Sequence, residues 1–319
     1  MGKNIVICAD GTANAFTGER SNVARLVRLL AKGDDAAQMV AYDQGIGTDM
    51  KRARELRAVE RTDPEVKGLH VLPGPPESWW GRERWELIAG LVKGDGLREN
   101  VQQIYEWLST EHGDDSDRIY LFGFSRGAFT VRALAGLIFR CGLPAENAAH
   151  EPGEFDAAWK FYQPMQVDEA AKNEFWRKTC PRRCRIHFLG LWDTVKSYGG
   201  LRPVLLPHLR HNPIVGTVCH AMALDERRGW FDATTWGWLD MDQGKNAAPR
   251  SNDFPAARLD PDTIEALKAQ KVREVWFSGS YPDIGGGQGD DATADIALRW
   301  MLAEAVHEGI LLSGAVCHI

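Results

Sequence analysis

Short apolar runs bounded by turn residues alternate with amphipathic stretches along most of the chain. Lys3 to Ala9 reads as a buried strand ending in Asp10-Gly11-Thr12, where Asp and Gly supply the turn. Asn22 precedes Val23, Leu26, Val27, Leu29 and Leu30, which share one helical face, and Gly33 stops the pattern. Gln38 to Tyr42 predicts a second strand running into Asp43-Gln44-Gly45-Ile46-Gly47-Thr48. Helical spacing returns over 97–109 (Val101, Ile104, Trp107, Leu108), followed by the strand Arg118 to Phe122 and an apolar helix from Ala128 to Phe139. A polar helical stretch from Glu154 to Arg177 then leads to the strand Arg185 to Leu191, which ends at Trp192-Asp193-Thr194. The helix Asp262 to Lys271, the strand Arg273 to Ser278, a Gly-rich turn through Gly289 and the helix Ala292 to His307 complete the series. Strands alternating with helices in this order predict an α/β class, with a mostly parallel central sheet flanked by helices.

Two stretches break the rhythm. About 51–86 is polar and irregular, with Pro73, Pro75, Pro76 and Trp79-Trp80, and reads as an insertion or lid. About 199–253, rich in Pro and Trp, reads as a cap over the site. A single domain over 1–319 carrying these two insertions is the expected organisation, since a chain of 319 residues can bury one large core.

Gly123-Phe124-Ser125-Arg126-Gly127 fits GxSxG, with a strand before it and an Ala-, Val- and Leu-rich helix after it. In that setting the serine sits on a strained turn at a helix N-terminus, and the glycines remove side chains that would strike the strand or the helix. Ser125 is therefore the candidate nucleophile, and the N–H of Arg126 is a candidate oxyanion donor. A serine needs a base to take its proton and an acid to orient that base. Asp193, at the end of the strand after the elbow helix, is the candidate acid, and Asp225 the reserve. His220 is the candidate base, its alternative being a structural histidine. Asp10, Asp193 and Asp283 each follow a strand and offer a competing reading, a metal-assisted phosphoesterase holding Mg²⁺ or Ca²⁺. Asp240-Met241-Asp242-Gln243-Gly244 looks faintly like a calcium loop but lacks the closing glutamate. The first reading needs no cofactor and no metal.

Composition narrows the choice of partner. A formal net charge of −6 and a pI near 5.9 give no basic field for nucleic acid or an anionic membrane. No window is apolar for the 18 or so residues needed to span a bilayer, and the N-terminus shows no secretory signal, so cytoplasmic residence or signal-independent export is expected. Six scattered cysteines read as free thiols, and Cys180, Cys184 and His187 match no common zinc spacing. Twelve tryptophans include Trp79, Trp80, Trp230, Trp236 and Trp238 in the predicted lid and cap, where aromatic faces would suit an acyl chain or equally form cap core. A small-molecule or lipid ester is the expected substrate.

Six ordered segments resemble the α/β-hydrolases of domain of unknown function 2235, which include the first class of type VI secretion phospholipase effectors. They are Asp10 to Asn14, Tyr42 to Thr48, Gly123 to Ala128, Trp192 to Val195, His220 to Arg228, and Val275-Trp276-Phe277 leading to Asp283 to Gly287. The resemblance implies an α/β-hydrolase fold and a lipase-type ester hydrolase, with Ser125 as nucleophile and an oxyanion loop around Gly11 and Thr12. The family's last motif reads Gly-x-His-x-Asp-Val-Gly-Gly-Gly, which brings Asp283 into the site and puts Tyr281 in the slot of the histidine. A phenol with a pKa near 10 is a poor proton acceptor at neutral pH, so a straight exchange would cost about 10²- to 10⁴-fold. The exchange therefore leaves three outcomes: His220 relocated as base, a different chemistry, or a hydrolase fold that binds without turning over.

Overall fold

Seven parallel strands form the core of the computed structural model, which describes residues 2–11, 20–33, 37–45, 63–72, 95–145, 151–164, 167–194, 198–199, 202–203, 206–227, 234–236, 261–287 and 292–314. In chain order these are β1 (Asn4–Ala9), α1 (Asn22–Leu29), β2 (Gln38–Asp43), β3 (Leu69–Val71), α2 (Asp95–Glu111), β4 (Arg118–Phe124), α3 (Arg126–Cys141), α4 (Glu154–Tyr162) and α5 (Glu169–Thr179). There follow β5 (Ile186–Trp192), a two-stranded ribbon of β6 (Tyr198–Gly199) and β7 (Arg202–Pro203), β8 (Val215–Ala223), α6 (Pro261–Ala269), β9 (Lys271–Phe277), α7 (Tyr281–Gly285) and α8 (Ala292–His307). The main sheet runs β3-β2-β1-β4-β5-β8-β9.

Residues of β1 alternate between two cores. Ile5, Ile7 and Ala9 pack with α2 and α3 (Val101, Ile104, Val131, Leu134), while Val6 and Cys8 pack with α1 and α8 (Leu26, Val27, Met301, Leu302). Both faces of the strand are thus buried, which is why its sequence is a continuous apolar run rather than an alternation. The chain builds outward from β1 to β3 on one side, then returns to place β4 on the other flank of β1. That reversal opens a crevice beyond the carboxyl ends of β1 and β4, the place where parallel sheets keep their sites.

Two strands fall in stretches whose composition suggested otherwise. β3 lies within the 51–86 insertion and β8 within the 199–253 cap, and both belong to the main sheet. β3 is only three residues long at the sheet edge. β8 (Val-Gly-Thr-Val-Cys-His-Ala-Met-Ala) carries polar residues that the sheet buries. The polar helical stretch 154–177 divides into α4 and α5, and the Gly-rich turn after β9 contains the short helix α7. Trp79, Trp80, Trp230, Trp238 and the segment 240–244 lie outside the described residues.

Candidate active site

Ser125 stands between β4 and α3 with φ 58° and ψ −120°, a backbone conformation that side chains rarely tolerate and that costs about 1–3 kcal/mol. The turn is held from both sides: the Ser125 N–H donates to the Trp192 carbonyl of β5 at 3.1 Å, and its carbonyl accepts the Phe129 N–H at 3.2 Å. The flanking glycines are steric necessities. A Cβ at Gly127 would come within 2.1 Å of the Ala9 carbonyl oxygen, and one at Gly123 within 2.6 Å of the backbone of Ala128. The helix is thus pressed onto the strand ends, with Ser125, 5% exposed, on the turn between them. The N–H of Arg126, first residue of α3, is one of the donors that a helix start leaves without an intrahelical partner.

Tyr281 comes to Ser125 from the far edge of the sheet. It opens α7 just after β9, its ring packs on Phe124 at 4.9 Å between centroids, and its hydroxyl is hydrogen bonded to the Ser125 side chain. Burial, with Asp193 and Asp10 adding negative charge nearby, pushes the phenol well above the ordinary tyrosine range, against the bond to Ser125 and the charge of Arg126. Two acidic side chains fix the approach: Asp225 Oδ2 accepts the Gly279 N–H at 2.7 Å, and Glu226 Oε2 accepts the Tyr281 N–H at 3.3 Å. Asp225 is thereby a loop tie and not a triad acid.

Asp193 follows β5, in the left-handed region at φ 38°, 1% exposed. Its Oδ1 accepts the Ala223 N–H at 3.4 Å, and among the described residues its buried Oδ2 has no hydrogen-bond partner. Burial above all, with the charge of Glu226 helping, raises the carboxyl to about 7.

The other predicted residues are placed elsewhere or engaged. His220 is fully buried on β8, facing the α3 side of the sheet. Its Nε2 accepts the Thr194 N–H at 3.2 Å, which requires the proton on Nδ1, where Glu274 Oε1 stands at 3.3 Å. Desolvation lowers its pKa to about 4, so it is neutral. Both nitrogens are committed to partners other than Ser125, which corrects the reading of His220 as a relocated base: it holds the turn that carries Asp193. Around it Trp236 is fully buried, donating its N–H to Glu274 and its Nε1–H to Gln270 at 2.8 Å, with Arg132 over its ring at 5.4 Å. That tryptophan is core, not an acyl-chain wall.

Asp10 is fully buried and accepts from the Gly11 N–H (2.7 Å), Ser21 Oγ (2.6 Å) and Tyr42 Oη (2.7 Å). The Gly11 N–H is therefore turned to Asp10, while Thr12 lies outside the described residues. Asp283 caps α7, taking both the N–H and the hydroxyl of Ser280 at 2.7 Å. Among the described residues no three His, Cys, Asp or Glu side chains are grouped to hold a metal ion. Asp10, Asp193 and Asp283 are thus not grouped as a set of three ligands among the described residues.

A parallel sheet wrapped by helices on both faces, with a strained serine between the fourth strand and the helix behind it, is the α/β-hydrolase fold. The chain belongs to the family described as the T6SS phospholipase effector Tle1-like catalytic domain, whose model matches residues 3–304. An uncharacterized protein of Saccharomyces cerevisiae is 32% identical over 241 residues, covering 72% of this chain and 32% of that protein. A crystal structure of an uncharacterized Pseudomonas aeruginosa protein aligns over 98% of this chain and 46% of its own, at 18% identity and a TM-score of 0.49. The Tle1 effector bound to the VgrG spike of the type VI secretion system aligns over 90% of this chain and 51% of its own, at 18% identity and a TM-score of 0.41. The chain thus spans about a third of the yeast relative's length and about half of these two structures. Among the described residues no helix is long and apolar enough to cross a membrane.

Proposed function

We propose that this chain is a serine hydrolase of carboxylic esters, with Ser125 as nucleophile and lipid esters as the substrate class that the family description favours. The observation that carries the reading is the strained backbone of Ser125, held at φ 58° against the ends of β1 and β5. Strain of this kind persists where the surrounding structure enforces it, and its use here is to aim a hydroxyl into the crevice. Attack of Oγ on the acyl carbon generates an oxyanion at the N-terminus of α3, where the Arg126 N–H and the helix dipole stabilise it. A single such donor is worth about 10²- to 10³-fold in rate. For a second donor we propose Thr12, as the family resemblance implies. Collapse of the intermediate expels the alcohol and leaves an acyl-serine for water to hydrolyse. Effector membership favours signal-independent export over permanent cytoplasmic residence.

A fluorophosphonate probe tests this directly, because it labels a serine only where nucleophile and oxyanion site are assembled. Labelling of the wild type that disappears in Ser125→Ala, together with hydrolysis of acyl esters, supports the reading. A folded wild type that neither labels nor hydrolyses moves the chain to the second reading, a hydrolase fold that binds a ligand without turnover. The observation favouring that second reading is Tyr281 in the place of the family's histidine.

A further inference from the structure

A histidine between a serine and an aspartate uses two nitrogens, one for each partner, whereas a tyrosine has a single polar atom. This site shows the result. The Tyr281 hydroxyl is hydrogen bonded to Ser125, and among the described residues Asp193 Oδ2 is left buried without a partner, with no second ring atom to reach it. The phenol stands beside Ser125, where the resemblance puts the family's histidine, and leaves the acid unengaged. The ring is also firmly placed, by Phe124 on its face, by Glu226 on its backbone N–H and by the Ser280–Asp283 cap of α7. The half-buried guanidinium of Arg126 lies on the positive side of its electrostatic surroundings, against the carboxylates of Asp193 and Asp10.

A phenol that stays protonated cannot act as a stored base, but it can exchange protons. We propose, resting on the serine-hydrolase reading, that neutral Tyr281 replaces the histidine as a two-way proton relay. In acylation the bond from Ser125 Oγ to the acyl carbon forms and the bond to the alkoxy oxygen breaks. Tyr281 Oη accepts the serine proton while its own proton passes to the departing alkoxide, which leaves as the alcohol. In deacylation water attacks the acyl carbon, Oη accepts a proton from that water, and the tyrosine proton returns to Ser125 Oγ as the acid departs. One proton enters and one leaves at each step, so the tyrosine begins and ends neutral and no phenolate accumulates. Arg126 offsets the negative charge that gathers on Oη in the transition state.

The test compares wild type, Tyr281→Phe and Tyr281→His on a soluble alkyl ester, with thermal melts to confirm folding and proton inventories in mixtures of H₂O and D₂O. Phe keeps the stacking on Phe124 and removes only the hydroxyl, so the relay predicts a loss of about 10²- to 10⁴-fold in kcat. It also predicts a curved proton inventory for the wild type, reporting two protons in flight. Tyr281→His, able to contact both Ser125 and Asp193, should retain or exceed wild-type kcat. A labelled, active wild type whose Tyr281→Phe variant stays within about threefold overturns the relay and leaves the nucleophile assignment standing. A linear inventory overturns it as well. A wild type that is neither labelled nor active overturns both.

Discussion

Asp193 is the side chain whose state most directly reports what has happened to the site. Its carboxyl, raised from 3.8 to about 7 by burial, holds its proton in the folded chain over a range where the unfolded chain has lost it. A folded pKa above the unfolded one gives a contribution that is complete below pH 3.8 and lost as pH rises through 7. Asp193→Asn removes that loss. We expect the variant to gain stability over the wild type by roughly 2–4 kcal/mol at pH 8 and little at pH 4. Melting both proteins across that range checks it, and a constant difference would mean the carboxyl does not titrate as placed. His220 contributes with the opposite sign: neutral when folded, with a pKa lowered to about 4, it costs stability as pH falls from 6.5 toward 4. His220→Gln should flatten the acid limb of the same melts. The legibility of these residues in the sequence was unequal. Ser125 stands out because its turn needs two glycines at fixed spacing, and Asp193 because it ends a strand. The spacing of Tyr281 gives no sign that it faces Ser125, and only the family motif pointed to it. His220 misled because a histidine in an apolar strand looks the same in sequence whether its ring faces a substrate or a buried glutamate.

At the scale of elements, the site combines deep strands with a shallow one. β1, β4 and β5 deliver Asp10, Ser125 and Asp193 from strands buried on both faces, and their long apolar runs make them readable. β8 and β3 lacked such runs, the first because it buries Thr217 and His220 by hydrogen bonding, the second because three residues give no period. Tyr281 instead hangs from β9, an edge strand whose residues are all at least partly exposed. Its position rests on the ties from Asp225 to Gly279 and from Glu226 to Tyr281, across the exits of β8 and β9. Cutting a tie should move the phenol without unfolding the sheet. Asp225→Ala is expected to cost about 1 kcal/mol of stability. Its kcat should fall about tenfold to a hundredfold with KM nearly constant, because small misplacements of a reacting group are expensive. Steady-state kinetics on one ester separates the two parameters. A rise in KM alone would place the loop in substrate binding.

The whole molecule is a sheet whose interior and edge differ in how firmly they are held, and the proposed chemistry depends on both. Each residue of β1 pairs on one flank with β2 and on the other with β4, and its side chains close both cores, so opening it requires both halves of the domain to separate. Among the described residues β9 pairs with β8 on one side only, and Trp276 on it is 52% exposed. Native-state hydrogen exchange should therefore place the amides of β1, β4 and β5 at the slow, global limit, and those of β9 well above it. A β9 as slow as β4 would show that the edge is covered. If the difference is found, Ser125 and Asp193 sit on a fixed frame, and Tyr281 is held against it from the less protected edge. Occupation of the crevice by a serine-directed inhibitor should then slow exchange at the end of β9 and through 278–281, while leaving β4 unchanged. Protection confined to that loop would show that occupancy of the crevice tightens the contact of Tyr281 with Ser125.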